Sequence, residues 1–286
     1  MIVIDPENMA PHPIPQIYLQ VGAEMKYVDE DTAEGTLTMR PGLRNLGGPS
    51  AAAMAVVLQD ISALTISRFA PLNVPIFINV RIRPAAADVR TIFARGTTLR
   101  RGRSVMSLDS ILTDADRPGT VIGYATGSWA AMDSYLREPR ATRFGPGTPT
   151  PADPPGVREF DSLLEAVGGR LRDDGRGAEL GEVNLGATEP VALGGTGTGT
   201  LHAGALQVLA ESAASSVAAQ AVGAERLMIH ELSTQFLAPC RVTPIAAIAS
   251  VIATSDGTLD CRVELHEDGG SGRLTALSYA RFKVSD

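Results

Sequence analysis

The chain has 286 residues, 44% of them hydrophobic, enough for one large domain or two of ordinary size. A net charge of −7 argues against a nucleic-acid partner held by counterion release, and two cysteines, Cys240 and Cys261, are too few for a disulfide framework or a cysteine-rich zinc site. The start, "MIVIDPENMAPHPIP", has no basic stretch followed by an apolar one, and no apolar run nears the ~20 residues that span a bilayer, so a cytoplasmic protein without a membrane span is expected.

In chain order, a strand near "EGTLTM" (34–39) is followed by a Gly/Asn turn, "LRNLGGPS" (43–50), and an Ala-rich helix, "AAAMAVVLQDISALTISRF" (51–69). Three strand-like stretches come next: 74–87, 91–112 and 120–132. In the first, Ile76, Ile78, Val80 and Ile82 alternate with Phe77, Asn79, Arg81 and Arg83, so one sheet face is buried. Residues 138–158, rich in Pro, Gly and Thr, read as a linker. Beyond it Phe160, Leu163, Leu164, Val167 and Leu171 have helical spacing. The order then recurs: a strand within "GEVNLGATEPVAL" (181–193), a Gly/Thr turn, a helix over "AGALQVLAESAASSVAAQAV" (203–222), and strand-like runs at 228–242, 246–266 and 273–284.

The halves therefore compare as an internal repeat. Aligning Asp60 with Glu211 also aligns Gly48 with Gly199 and Leu58 with Leu209, and further on Pro84 meets Pro239 and Tyr124 meets Tyr279. Each half is a strand, a nearly uncharged long helix, and an antiparallel meander. A helix this apolar is buried almost all round, so the sheet must curl about it. The expected fold class is α+β, two tandem hotdog domains of this layout: residues 1–137, the 138–158 linker, and residues 159–286.

Gly199-Thr-Leu-His202-Ala203-Gly204-x-x-x-x-Leu209-x-Glu211 resembles the G-x-x-H-G-G-x-x-x-x-L-x-D/E signature of hotdog-fold acyl-CoA thioesterases of the phenylacetate-pathway type. The resemblance extends over most of both halves. Ala203 replaces a usual Gly. In the first half, Gly48-Pro-Ser-Ala51-Ala52-Ala53-x-x-x-x-Leu58-x-Asp60 keeps the glycine and the acid but has Ala51 in place of the histidine, while Asn45 stands where the family has a loop Asn.

A helix N-terminus offers unpaired N–H groups to a thioester oxygen that becomes negative during attack. The resemblance gives this role to the amide of Ala203, or of Ala52 in the first half. Small residues such as Gly204 allow close approach, and Gly48 provides the turn. Glu211 lies eight residues past Ala203, roughly 12 Å along the axis at ~1.5 Å per residue, so it cannot serve its own helix start. An antiparallel partner helix solves this: Asp60 would face His202/Ala203, and Glu211 would face Ala51/Ala52. Asp60 is then the nucleophile or general base, with Glu211 as the equivalent catalytic acid at the other helix start, His202 on the carbonyl or holding the loop, and Asn45 and Gln59 as polar lining. The bland alternative makes His202 a cap and the two acids interfacial polar residues.

"GGTGTGT" lacks the G-K-[ST] of a phosphate loop, "LRRGRS" (Arg100, Arg101, Arg103) reads first as a hairpin turn and only second as a coenzyme A phosphate contact, and His12, His202, His230 and His266 have no metal-ligand spacing. The resemblance thus implies an acyl-CoA substrate, no metal, no cofactor beyond the coenzyme A of the substrate, and a homodimer of double hotdogs. A hotdog hydratase/dehydratase and a non-catalytic acyl-CoA-binding module are the alternatives.

Overall fold

The computed structural model describes residues 16–67, 69–70, 73–131, 160–183, 200–255 and 257–285. The linker at 138–158 and all but the end of the Gly/Thr run lie outside these residues. A short helix, α1 (Gln16–Val21), leads into the hairpin β1 (Glu24–Tyr27) and β2 (Thr32–Thr38). The two-residue strands β3 (Arg44–Asn45) and β4 (Gly48–Pro49) then pair across Leu46 and Gly47, whose φ angles are 47° and 78°. Two positive φ values in a two-residue loop match the twist of a tight hairpin, freely for Gly47 and with strain for Leu46.

Helix α2 (Ala51–Thr65) follows at once, then β5 (Asn73–Ile82), β6 (Thr91–Arg101), β7 (Val105–Asp114) and β8 (Val121–Ala131). After the linker come α3 (Leu163–Ala166), β9 (Gly169–Leu171), β10 (Gly177–Leu180), helix α4 (Ala203–Val222), β11 (Leu227–Phe236), β12 (Ile245–Ser255), β13 (Thr258–His266) and β14 (Leu274–Val284).

Twelve strands form one antiparallel sheet in the order β1-β2-β6-β7-β8-β5-β11-β14-β13-β12-β10-β9. The order reads the same from both edges once each element is exchanged for its counterpart in the other half. At the centre β5 pairs with β11, with Asn79 opposite Ser233. Helix α2 packs on β1, β2, β5–β8 and, across the centre, β11, and α4 on β9–β14. Both helices are rich in Ala, Val and Leu and are buried over most of their length, as their lack of charge demands. Gly96 of β6 marks how closely α2 approaches: a Cβ there would lie 2.6 Å from Ile61 Cγ2.

Three expectations need correction. The helix over 160–171 is only the single turn of α3; Leu171 belongs to β9, because Gly168 at φ 75° turns the chain. The strand expected in 181–193 lies earlier, as β10, and 181–183 are not in a strand; residues 184–193 are outside the described chain. The helical register also differs by one residue. The N-caps of α2 and α4 are Ser50 and His202, so the histidine's counterpart is Ser50, not Ala51.

Candidate active site

Helices α2 and α4 run antiparallel along each other. Glu211, the ninth residue of α4, meets the start of α2, whereas Gln207, the fifth, meets Gln59, the ninth residue of α2. The contact is close: a Cβ on Gly204 would lie 2.8 Å from Val56 Cγ2. In the middle of this contact Gln59 Nε2 donates to Gln207 Oε1 at 2.8 Å and to the Ala55 carbonyl at 3.3 Å, leaving Gln207 Nε2 buried without an acceptor. Gln59 is therefore part of the helix interface and not polar lining of a site.

The N-terminus of α2 is filled. Glu211, 2% exposed, accepts hydrogen bonds from Ala51 N–H (3.1 Å), Ala52 N–H (2.6 Å), Ser50 Oγ (2.7 Å) and Asn45 Nδ2 (2.9 Å). Asn45 Nδ2 also donates to Ser215 Oγ at 2.8 Å, and the β3–β4 hairpin holds it there. Gly48 packs in the same hairpin, where an added Cβ would sit 3.2 Å from Met228 Cγ. Burial pushes the Glu211 carboxyl above its ordinary range, and the four donors pull it back. An internal carboxylate thus occupies the Ala52 amide, the position assigned to a substrate oxygen, and Asn45 serves that carboxylate. This end is satisfied and closed.

The N-terminus of α4 is different. His202 caps it by accepting from Gly204 N–H on Nδ1 at 3.0 Å, while the Ala203 N–H has no acceptor among the described residues. His202 Nε2 lies 3.3 Å from the Tyr18 hydroxyl, and the two rings meet edge to face with centroids 5.0 Å apart. Tyr18 lies in turn within electrostatic reach of Asp60, whose charge contributes to raising the phenol well above 10, second to burial itself. Burial alone lifts the Asp60 carboxyl to about 7 and lowers His202 to about 4. Tyr18, Asp60 and His202 all lie deep in the protein, yet each keeps part of its surface accessible.

The shifted cap register explains why the two acids differ. Counted from the caps, Glu211 is the ninth residue of its helix and Asp60 the tenth, and one residue is ~100° of rotation. Glu211 points across to the opposite helix start; its positional counterpart, Gln59, points to Gln207; Asp60 turns toward α1. Tyr18, which no motif in the sequence marks, comes from that helix. The available signal is slight: Ile17 and Val21 are buried at helical spacing, which places Tyr18 beside the core.

Of the remaining candidates, Arg101 pairs with Asp31 and Glu30 and lies over the Phe69 ring, while Arg100 and Arg103 are exposed. Cys240 and Cys261 are buried free thiols pushed up to about 12 by burial. Among the described residues no three His, Cys, Asp or Glu side chains are grouped to hold a metal ion, and no helix is long and apolar enough to cross a membrane.

Residues 198–272 match the model of the Thioesterase superfamily, a span that includes His202, Ala203 and Glu211. No curated protein sequence matches the chain. Among solved structures, it is similar to a protein of unknown function with a hot dog fold from Alicyclobacillus acidocaldarius (TM-score 0.59, 16% identity, 94% of this chain and 98% of that one). It is similar also to an acyl-CoA thioesterase II, TesB2, from Mycobacterium marinum (0.57, 12%, 94% and 96%) and to a 12:0-ACP thioesterase from Umbellularia californica (0.54, 14%, 89% and 94%). The fold is thus of the hotdog type, a mixed helix-and-strand architecture with one large antiparallel sheet.

Proposed function

We propose that the protein is a thioesterase that hydrolyses an acyl-coenzyme A to a carboxylic acid and free coenzyme A, at the group formed by the start of α4, Tyr18 and Asp60. We infer further that it is a tandem of two hotdog domains, 1–137 and 159–286, each helix wrapped by its own half of the sheet. The matching strand order on either side of β5 and β11 supports that division. One observation carries the functional reading: Asp60, partly accessible and raised to about 7, acts electrostatically on Tyr18, which meets the His202 cap of α4, where the Ala203 amide has no acceptor among the described residues, while the equivalent terminus of α2 is occupied by Glu211.

The chemistry follows from these groups. A thioester oxygen on the Ala203 N–H gains a partial positive charge to lean on as it becomes an oxyanion. Acting as base, Asp60 takes a proton from water while the water oxygen adds to the carbonyl carbon. The carbon–sulfur bond then breaks, and the thiolate recovers the proton from Asp60. Acting as nucleophile, the Asp60 carboxylate adds to the carbonyl carbon and the carbon–sulfur bond breaks, giving an acyl–Asp60 anhydride and the coenzyme A thiolate; water then opens the anhydride, and the proton released goes to the thiolate. A carboxyl near 7 suits proton transfer at neutral pH. His202, uncharged at that pH, fixes the entrance through its cap to Gly204. Glu211 takes a structural role.

The test is thiol release from a panel of acyl-CoAs, wild type against Asp60→Asn. Release by the wild type and its loss in the variant are expected. Binding without thiol release would leave an acyl-CoA-binding module, and loss of enoyl absorbance without thiol release would leave a hydratase. Single turnover in ¹⁸O water separates the two mechanisms, since only the anhydride route labels Asp60.

A further inference from the structure

The hydrogen bonds around His202 have a direction, and it leaves one proton unassigned. Nδ1 accepts from the Gly204 amide at 3.0 Å, so that nitrogen carries no proton. In the neutral ring the proton sits on Nε2, which must donate to the Tyr18 oxygen 3.3 Å away. The hydroxyl's own proton therefore cannot point at the histidine. It has no acceptor among the described residues, and Tyr18 is partly accessible. A phenol raised well above 10 by burial and by the Asp60 charge keeps that proton throughout the working pH range.

From this geometry, and resting on the thioesterase reading above, we propose that Tyr18 is a catalytic residue: its O–H donates to the thioester carbonyl oxygen as a second oxyanion donor beside the Ala203 amide. The chain runs from the Gly204 N–H through His202 to Tyr18, each group donating to the next, so negative charge on the substrate oxygen is met by aligned dipoles. This explains why the cap of α4 is a histidine where α2 has a serine. Ser50 Oγ turns to Glu211, but an imidazole spans from the backbone to a phenol on another helix. No proton is transferred from Tyr18 in this step; it donates a hydrogen bond, and Asp60 handles the proton.

Tyr18→Phe keeps the ring that packs edge to face on His202 and removes only the hydroxyl. It is compared with wild type and Asp60→Asn in thiol release, and in binding of two non-hydrolysable analogues. In one a methylene replaces sulfur, keeping the carbonyl oxygen; the other is a thioether without one. The expectation is a kcat lower by ~10²–10³-fold, with KM raised no further than binding of the carbonyl analogue is weakened, and no weakening for the thioether. Equal weakening for both analogues would reduce Tyr18 to a residue that positions His202 and overturn the proposal, as would a kcat within about threefold of wild type. Those outcomes leave the thioesterase reading intact if Asp60→Asn is inactive. A wild type that binds neither analogue and releases no thiol overturns both.

Discussion

Asp60 should make the folded protein less stable as pH rises, and removing its charge should reverse that. Its carboxyl titrates at about 7 in the folded protein against 3.8 in the unfolded chain, because burial disfavours the ionised form. Below pH ~4 both states are protonated and there is no penalty. As pH rises toward 7 the unfolded chain ionises while the folded one resists, and above 7 the full penalty is present. At 1.36 kcal/mol per pH unit the difference amounts to about 4 kcal/mol, an upper figure because the group retains some contact with water. For chains of this order ~2–4 °C in Tm accompanies each kcal/mol, so the effect reaches roughly 10 °C. Melting curves by circular dichroism at pH 4.5, 6, 7 and 8.5 should show Asp60→Asn and wild type close together at the acid end. The gap in favour of the variant should open between pH 4.5 and about 7, most of it already present at pH 6, and stay level above that. Other titrating groups cancel in the comparison. A gap that does not change with pH, or a wild type more stable than the variant at pH 8.5, would refute the burial argument. The same expenditure of stability is what keeps the Asp60 pKa near neutral pH.

In thiol release, kcat/KM should rise through about pH 7 and stay level to pH 9, because His202 at about 4 is already neutral and Tyr18 titrates well above 10; a falling limb below pH 9 would contradict these assignments. Glu211→Ala leaves the Ala51 and Ala52 amides, Ser50 and Asn45 without their acceptor, and should lose ~3–5 kcal/mol in urea unfolding while the folded fraction keeps its kcat. Gly204→Ala places a methyl 2.8 Å from Val56 Cγ2 and 3.0 Å from His202 Nδ1, costing ~1–3 kcal/mol and most of the activity; adding Val56→Ala should recover part of the stability, and no recovery would mean the helices are not in contact there. Gln59→Leu alone strands Gln207 and should cost ~1–3 kcal/mol, whereas the double change to Leu should be nearly neutral in the same assay.

Much of the architecture was legible because it rests on local pattern. The run at 203–222, charged only at Glu211, is α4 to the residue, and the alternation holds in β5 for buried Ile78, Val80 and Ile82 but not for Ile76, which is exposed where the register with β8 shifts. Short edge elements were not legible. The α1 and β1 segments, β9 and β10 are six residues or fewer, too short for a period to stand out, and it is the sheet and helices beside them that stabilise them.

The site was legible only in part. Gly48, Asp60, His202, Ala203, Gly204 and Glu211 stood out as a repeated motif, and the inability of a helix carboxylate to reach its own N-terminus followed from helix rise alone. By itself the sequence determined the α+β class, the two long helices and the presence of an acid on each, because periodicity and spacing are properties of the chain. Only the tertiary structure decided that Glu211 is spent on the Ala51 and Ala52 amides while Asp60 lies within electrostatic reach of Tyr18, which in turn meets His202. The reason is geometric: one residue of cap register turns a side chain by ~100°, and which neighbour it then meets depends on segments brought together from more than 140 positions apart.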